Sequence, residues 1–299
     1  LILASTQEEE AHDIAYKGLL LEYGTIGSEH YRSPEAVLSN PELASNLAAD
    51  SLLSDPVGLL RPLHAVVKQE YSKRRWVKAR CSYEKQQVTH ALEDLSQALS
   101  PAQALLPLIR VLVYLAGLLM VADLRPPTHR RALVVMREIL SQQGQAALHE
   151  EALGLLGSAH LTRAQVQAYL QDAATTFDRA VEITRTVVPF GFKLHPYVRP
   201  YLVDGLEELI QRGNHREVML WVTFALWLAN TAIQLDAPHT EKPLYQARLD
   251  RLCQQTGLTT TADITTRLQA ARQLARSMFT VADEMVEHRP PDKEPTGAQ

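Results

Sequence analysis

Apolar residues recur along most of this chain with the three-to-four-residue spacing of amphipathic helices. Helices are therefore predicted over residues 58–99, 100–124, from 128 to about 143, 146–156, 162–187, 196–212, 214–235, 241–256 and 261–287. Residues 19–26 differ, because they form a short, partly β-branched apolar run bounded by glycines. That run predicts a buried strand carrying one acid, Glu22.

Near the N-terminus the pattern is less regular. Residues 1–3 resemble the middle of a strand, which predicts that more chain precedes Leu1. Residues 7–18 open with three glutamates, which favours a first helical turn or an exposed loop.

Several predicted helices open with a capping residue followed by proline. The capping oxygen can accept bonds from free N–H groups, and proline loses nothing at the first helical position. The four pairs are Ser33-Pro34, Asn40-Pro41, Asp55-Pro56 and Ser100-Pro101, and Thr162 is a further predicted cap.

Composition narrows the class of protein. The 299 residues are 46% hydrophobic and only 6% aromatic, and 13 are glycine, a balance that favours helix and a sizeable core. A net charge of −4 gives no reason to expect nucleic acid as a partner. The two cysteines lie far apart in helical patterns, as expected of reduced thiols in a cytoplasmic protein. The apolar run 104–122 contains Arg110, which favours a buried helix over a membrane span.

Several motifs follow one another in an order known from another group of proteins. They are the Glu22 strand, a strand-turn-helix with an acid and a glycine at 52–60, a long helix, a buried helix ending at 122–125, and the run 126–128. In this order the chain resembles the kanamycin-type nucleotidyltransferases of the DNA polymerase β-like superfamily. The segments 33–38 and 74–81 are similar to signatures of a bacterial group of nucleotidyltransferase-domain proteins, and the likeness covers nearly the whole chain.

The resemblance implies a two-Mg²⁺ reaction in which a nucleoside monophosphate passes from a nucleoside triphosphate to a hydroxyl group. In that family a Gly-Ser pair holds the triphosphate, while an Asp-x-Asp strand and a third carboxylate hold the metals. This chain contains no Gly-Ser pair followed by Asp-x-Asp, and only Glu22 matches a family metal ligand. Both aspartates would have preceded Leu1, so we expect this chain to be inactive or nearly so.

Other site residues are candidates only. The family's glutamate base corresponds to a position near Thr89, and Glu84 and Glu93 flank that position on the same helix. Phosphate-binding candidates are the cations Lys17, Arg75, Lys78 and Arg80; the last three cannot all share one helical face.

The predicted fold is mainly α, with a truncated α/β nucleotidyltransferase lobe at 1–55 followed by helical bundle domains at 56–187 and 195–288. The Pro- and Gly-rich break at 188–196 separates the bundles, and the tail 289–299 is predicted to be disordered. The expected partners are a nucleoside triphosphate and a small-molecule acceptor, with no membrane, and a homodimer is left open. The alternatives are a non-catalytic module that binds a nucleotide or a protein, or an all-helical interaction module with no strand at 19–26.

Overall fold

The computed structural model describes residues 2–5, 10–17 and 19–292, and in these ranges the chain is mainly helical, as predicted. Three strands come first: β1 (Ile2–Ser5), β2 (Glu10–Tyr16) and β3 (Leu19–Gly27). The helices are α1 (Pro34–Ser39), α2 (Pro41–Ala48), α3 (Leu60–Glu70), α4 (Arg74–Ser96), α5 (Pro101–Ala122), α6 (Ala132–Gln142), α7 (Ala146–Leu156), α8 (Arg163–Ile183), α9 (Gly205–Gln211), α10 (His215–Asp236), α11 (Lys242–Thr256) and α12 (Thr261–Glu287).

The strands form one small mixed sheet in the order β1-β3-β2. β3 confirms that 19–26 forms a strand, which pairs in parallel with β1 and antiparallel with β2. The prediction that this strand is buried is wrong, because of its nine residues only Gly27 is buried. The prediction of a helical turn or loop over 7–18 is wrong for Glu10–Tyr16, because seven residues there pair with β3. Cross-strand pairing outweighs the local preference of the glutamates. Leu1 and residues 6–9 lie outside the described ranges.

Three of the predicted helix starts are confirmed. The side chains of Ser33, Asn40 and Ser100 accept hydrogen bonds from backbone N–H groups of the first turns of α1, α2 and α5. Residues 52–60 do not form the predicted strand-turn-helix, since no strand occurs there. Asp55 instead accepts N–H groups from residues 59–61, which caps α3, and Leu53 is 82% exposed, so nothing buries a strand at this position.

Two predicted helices are interrupted. The helix predicted at 58–99 divides into α3 and α4, because Lys73 adopts an extended conformation. The helix predicted at 196–212 begins as the 3₁₀ turn Pro196–Val198 and the π turn Pro200–Asp204, and becomes α-helical only at Gly205. Pro200 lacks the N–H that a regular helix would need there.

One core unites most of the helices. Its fully buried members come from both sides of the break at 188–196, as Phe177 of α8 and Met278 of α12 illustrate. The two predicted bundles therefore share a single core. A smaller core joins α1, α2 and α3 and consists of Tyr31, Val37, Leu38, Leu43, Leu47, Leu63 and Val67.

The start of the predicted tail is held against α4. Asp292 accepts hydrogen bonds from the backbone N–H groups of Arg74 and Arg75, at 2.8 and 3.2 Å. Residues 293–299 lie outside the described ranges.

By length and composition alone, α5 and α10 could cross a membrane. Within the fold, 72% and 78% of their apolar windows are buried, as in core helices.

Candidate functional site

Two carboxylates and one ammonium group meet on the sheet face that lies against the helices. Asp13 of β2 and Glu22 of β3 are register partners, so their side chains leave the sheet side by side. Lys193 Nζ lies 3.3 Å from Asp13 Oδ2 and 2.7 Å from Glu22 Oε1. The Asp13 side chain is 1% exposed, whereas that of Glu22 is 53% exposed. The ammonium group thus neutralises a buried carboxylate and a solvent-facing one together.

Lys193 belongs to a segment of short 3₁₀ and π turns between α8 and α9, residues 190–201, which we call the strap. The Tyr197 hydroxyl donates to the backbone carbonyl of Asp13. The Tyr197 ring also lies over His195, with ring centroids 3.7 Å apart. The strap therefore ties β2 to the helical body through a backbone contact as well as through charge.

Aromatic rings surround the ammonium group. The centroids of Phe192 and Tyr201 lie 4.9 and 5.9 Å from Lys193 Nζ. The guanidinium carbon of Arg130 lies 4.8 Å from the Tyr201 centroid, so this ring contacts a second cation. Burial, reinforced by the charge of Glu22, raises the pKa of Tyr201 to about 12. Tyr201 is therefore neutral at physiological pH and contributes a polarisable face, not a charge.

A third carboxylate, Glu84, lies on α4 and is buried against α5. A Cβ atom on Gly117 would stand 3.0 Å from Glu84 Oε2, so the glycine provides the space that the carboxylate fills. Burial, and to a smaller extent the charge of Glu42, raises the pKa of the Glu84 carboxyl group to about 7. Among the described residues, no side chain or backbone N–H donates a hydrogen bond to this carboxylate.

His129 lies within electrostatic range of Glu22 and Glu42. It lies in the loop between α5 and α6, and its ring reaches solvent. Desolvation is the main cause that lowers the pKa of His129, and the charge of Lys193 also lowers it. The charges of Glu42 and Glu22 act in the opposite direction and raise it. Protein atoms therefore surround part of the ring, although the residue as a whole is exposed.

Five polar groups from β3, α2, α4, the α5–α6 loop and the strap influence one another electrostatically, and we call the region that they occupy the carboxylate cleft. Its polar groups are Glu22, Glu42, Glu84, His129 and Lys193. Glu42 acts electrostatically on both Glu84 and His129, and Glu22 also acts on His129, which indicates that these charges share one neighbourhood.

The structure separates the two candidate bases. Glu84 lies in the carboxylate cleft, whereas Glu93 is exposed on α4, nine residues further along. Nine residues turn a helix by about two and a half turns, which places the two side chains on opposite faces.

Within the described ranges, each of the predicted phosphate-binding cations is exposed or is paired with groups outside the cleft. Lys17 is exposed in the β2–β3 turn, with Nζ 5.1 Å from the Tyr16 ring. Arg75 donates to Glu70 at 2.6 Å, and Lys78 is exposed. Arg80 is 1% exposed and donates to backbone carbonyl groups at 3.0 and 2.7 Å, so its guanidinium already holds α4 against α1 and the end of α3.

Sequence reasoning missed three members of the site. Asp13 was hidden because β2 was not predicted, although its position opposite Glu22 follows once the hairpin is known. Lys193 lies in the segment interpreted only as a boundary. Glu42 follows the Asn40-Pro41 start and was seen only as part of a helix.

The described residues do not by themselves fit Mg²⁺. Among them, no group of three or more His, Cys, Asp or Glu side chains could hold a metal ion. Mg²⁺ needs an octahedral set of oxygen atoms. Glu22 and Asp13 offer two carboxylates, and both contact Lys193. The implied Mg²⁺ would therefore need ligands beyond these two.

Two recessed spaces elsewhere in the described part of the chain do not coincide with these charges. One lies between α5, α7 and the α11–α12 loop beside Leu105 and Arg267, and the other between α8 and α9 beside Gln167 and Glu207. Neither space is lined by a residue of the carboxylate cleft.

Comparison with known proteins gives no match: no family model, no curated protein and no solved structure is significantly similar to this chain.

Proposed function

We propose that the carboxylate cleft binds a hydroxyl-bearing small molecule, and that Glu84 accepts the proton of that hydroxyl when a nucleoside monophosphate is transferred to it from a nucleoside triphosphate. This is the reaction of the kanamycin-type nucleotidyltransferases, which the sequence resembles. The observation that carries the proposal is Glu84 itself: a buried carboxylate with no donor among the described residues and a pKa raised to about 7.

These properties suit a general base. A base works best when its pKa lies near the operating pH, because it is then deprotonated in a large fraction of molecules and still binds a proton well. An ordinary exposed glutamate, with a pKa near 4.5, would be a much weaker base. With no internal donor on its oxygens, Glu84 has free lone pairs to accept a hydrogen bond from a hydroxyl group.

Its surroundings favour the same step. The proton moves from the hydroxyl oxygen to a Glu84 oxygen while the hydroxyl oxygen attacks the α-phosphorus and pyrophosphate leaves. His129 and Glu42 supply further polar groups for orienting a polyhydroxylated acceptor. The cations that would bind the triphosphate are not assembled by the described residues, and the chain contains no Gly-Ser and Asp-x-Asp pair of motifs. We therefore assign the acceptor side of the reaction to these residues and expect little transfer by this chain alone.

The test uses the protein as its gene encodes it. Mg·ATP and Mg·GTP are titrated into it by calorimetry, and pyrophosphate release is then followed with a panel of polyhydroxyl acceptors. Glu84→Gln should leave nucleotide affinity unchanged and lower kcat by about 10²-fold or more. Glu93→Gln, on the opposite face of the same helix, is the matched control and should behave as the wild type. Equal kcat values for the two variants would refute the role of Glu84, and failure of either nucleotide to bind would refute the function.

A non-catalytic nucleotide-binding module is the second candidate. The contact of Lys193 with Glu22 favours it, since it occupies a carboxylate that the family uses for metal. Nucleotide binding without pyrophosphate release, whatever the acceptor, would support this second candidate over transfer.

A further inference from the structure

The geometry of the sheet face points to a built-in cation: we infer that Lys193 is the resident counter-ion of Asp13 and Glu22 and keeps divalent metal ions away from this pair. The inference concerns three charged groups and does not depend on nucleotidyl transfer.

Distance and burial make the ammonium group an integral part of the fold. Its nitrogen is 3.3 Å from Asp13 Oδ2 and 2.7 Å from Glu22 Oε1, so it bridges the two register partners. The Asp13 side chain is 1% exposed, and a buried carboxylate is costly unless a cation compensates it. Lys193 provides that cation from a side chain that is only 13% exposed.

The strap holds the lysine in place. Phe192 and Tyr201, both in the strap, present their rings to the ammonium group, and Tyr197 fixes the strap to the backbone of Asp13. Because the lysine belongs to the same chain, its effective concentration at the pair is high and it loses little freedom on binding.

A divalent ion would compete poorly at this position. It would have to displace the lysine or lie beside a like charge, and it would give up hydration in exchange for two carboxylates. The geometry therefore assigns the pair a structural role: it fastens the strap, and with it the helical body, to the sheet.

The experiment is a calorimetric titration of Mn²⁺, without nucleotide or acceptor, into the wild type, Glu22→Gln, Lys193→Met and the double variant Lys193→Met/Glu22→Gln. The wild type and Glu22→Gln should give the same weak titration. Lys193→Met should bind Mn²⁺ at least about tenfold more tightly, because a repelling charge is gone, and the double variant should lose that gain. Lys193→Arg keeps the positive charge and should behave as the wild type.

Mn²⁺ binding to the wild type that Glu22→Gln weakens would overturn the inference, and so would a Lys193→Met variant with no gain. Circular dichroism establishes that each variant folds. If Lys193→Met does not fold, Lys193→Gln, which retains an amide donor, replaces it, and the comparison of wild type with Glu22→Gln remains decisive. Since no nucleotide is present, failure here is distinct from failure of the proposed transfer reaction.

Discussion

Glu84 and Gly117 lie in direct contact across the α4–α5 interface: a Cβ atom on Gly117 would stand 3.0 Å from Glu84 Oε2 and 3.2 Å from its Cδ. Glycine in the middle of an apolar helix costs helix stability, so its presence here has a steric explanation. The carboxylate can occupy its buried position because α5 has no side chain at 117.

Gly117→Ala should have different effects in two backgrounds. In the Glu84→Ala variant the neighbour is absent, so alanine should stabilise the protein by about 1 kcal/mol through helix propensity. In the wild type the added methyl group must displace the carboxylate, and the gain should be smaller by at least about 0.5 kcal/mol. Urea unfolding of the wild type, Gly117→Ala, Glu84→Ala and the double variant measures this difference in stabilisation. If Gly117→Ala changed the free energy of unfolding equally in both backgrounds, the contact would be contradicted.

The raised pKa of Glu84 predicts a pH dependence of stability. Its pKa is about 7 in the folded protein, against 4.5 for the free side chain. Below pH 4.5 the group is protonated in both states. Between about 4.5 and 7 the unfolded chain loses the proton while the folded protein keeps it, so the free energy of unfolding should fall by about 3 kcal/mol as pH rises through this window.

Glu84→Gln should remove this loss, because the amide is always neutral. Chemical unfolding at pH 5 and pH 8 provides the measurement, and the difference between variant and wild type cancels the contributions of other titrating groups. The exposed Glu93→Gln variant should retain the wild-type pH dependence. Parallel pH profiles for wild type and Glu84→Gln would show that the carboxyl titrates normally.

Arg80→Met should destabilise the protein by about 2–4 kcal/mol, because two backbone carbonyl groups lose a charged donor. They belong to Leu38 and Tyr71. Lys78→Met, an exposed change on the same helix, should stay within about 0.5 kcal/mol of the wild type. Denaturant unfolding distinguishes the two. If Arg80→Met were as stable as the wild type but bound nucleotide more weakly, the result would support the predicted phosphate-binding role of Arg80 instead.

Both cysteine thiols should react slowly in the native protein. Cys81 and Cys253 are buried, and desolvation is the main cause that raises their pKa values to about 12 and about 11. Because the thiolate is the reactive form, a disulfide reagent at pH 8 should modify them about a hundredfold or more slowly in buffer than in urea. One rapid thiol in the native state would show that its helix opens readily.

The sequence by itself determined the helical class and many element ends, because these depend on neighbouring residues. Ser33, Asn40 and Ser100 cap helices whose first turns follow them directly, and Thr162 and Gln165 form a capping box at the start of α8. The apolar, β-branched run before Gly27 was sufficient to place β3. Elements that depend on a pairing partner were harder to predict from the sequence. β2 is a strand because β3 pairs with it, whereas residues 52–60 have no pairing partner in the described part of the chain and form no strand.

Only the tertiary structure decided which charges meet. Helical geometry places Glu84 and Glu93 on opposite faces of α4, but packing against α5 determines which of the two is buried and has its pKa raised. Lys193 and Glu22 are 171 residues apart, and no local pattern links them. Their contact arises because the strap packs against β2, where a buried carboxylate requires a cation whose position in the sequence is unconstrained.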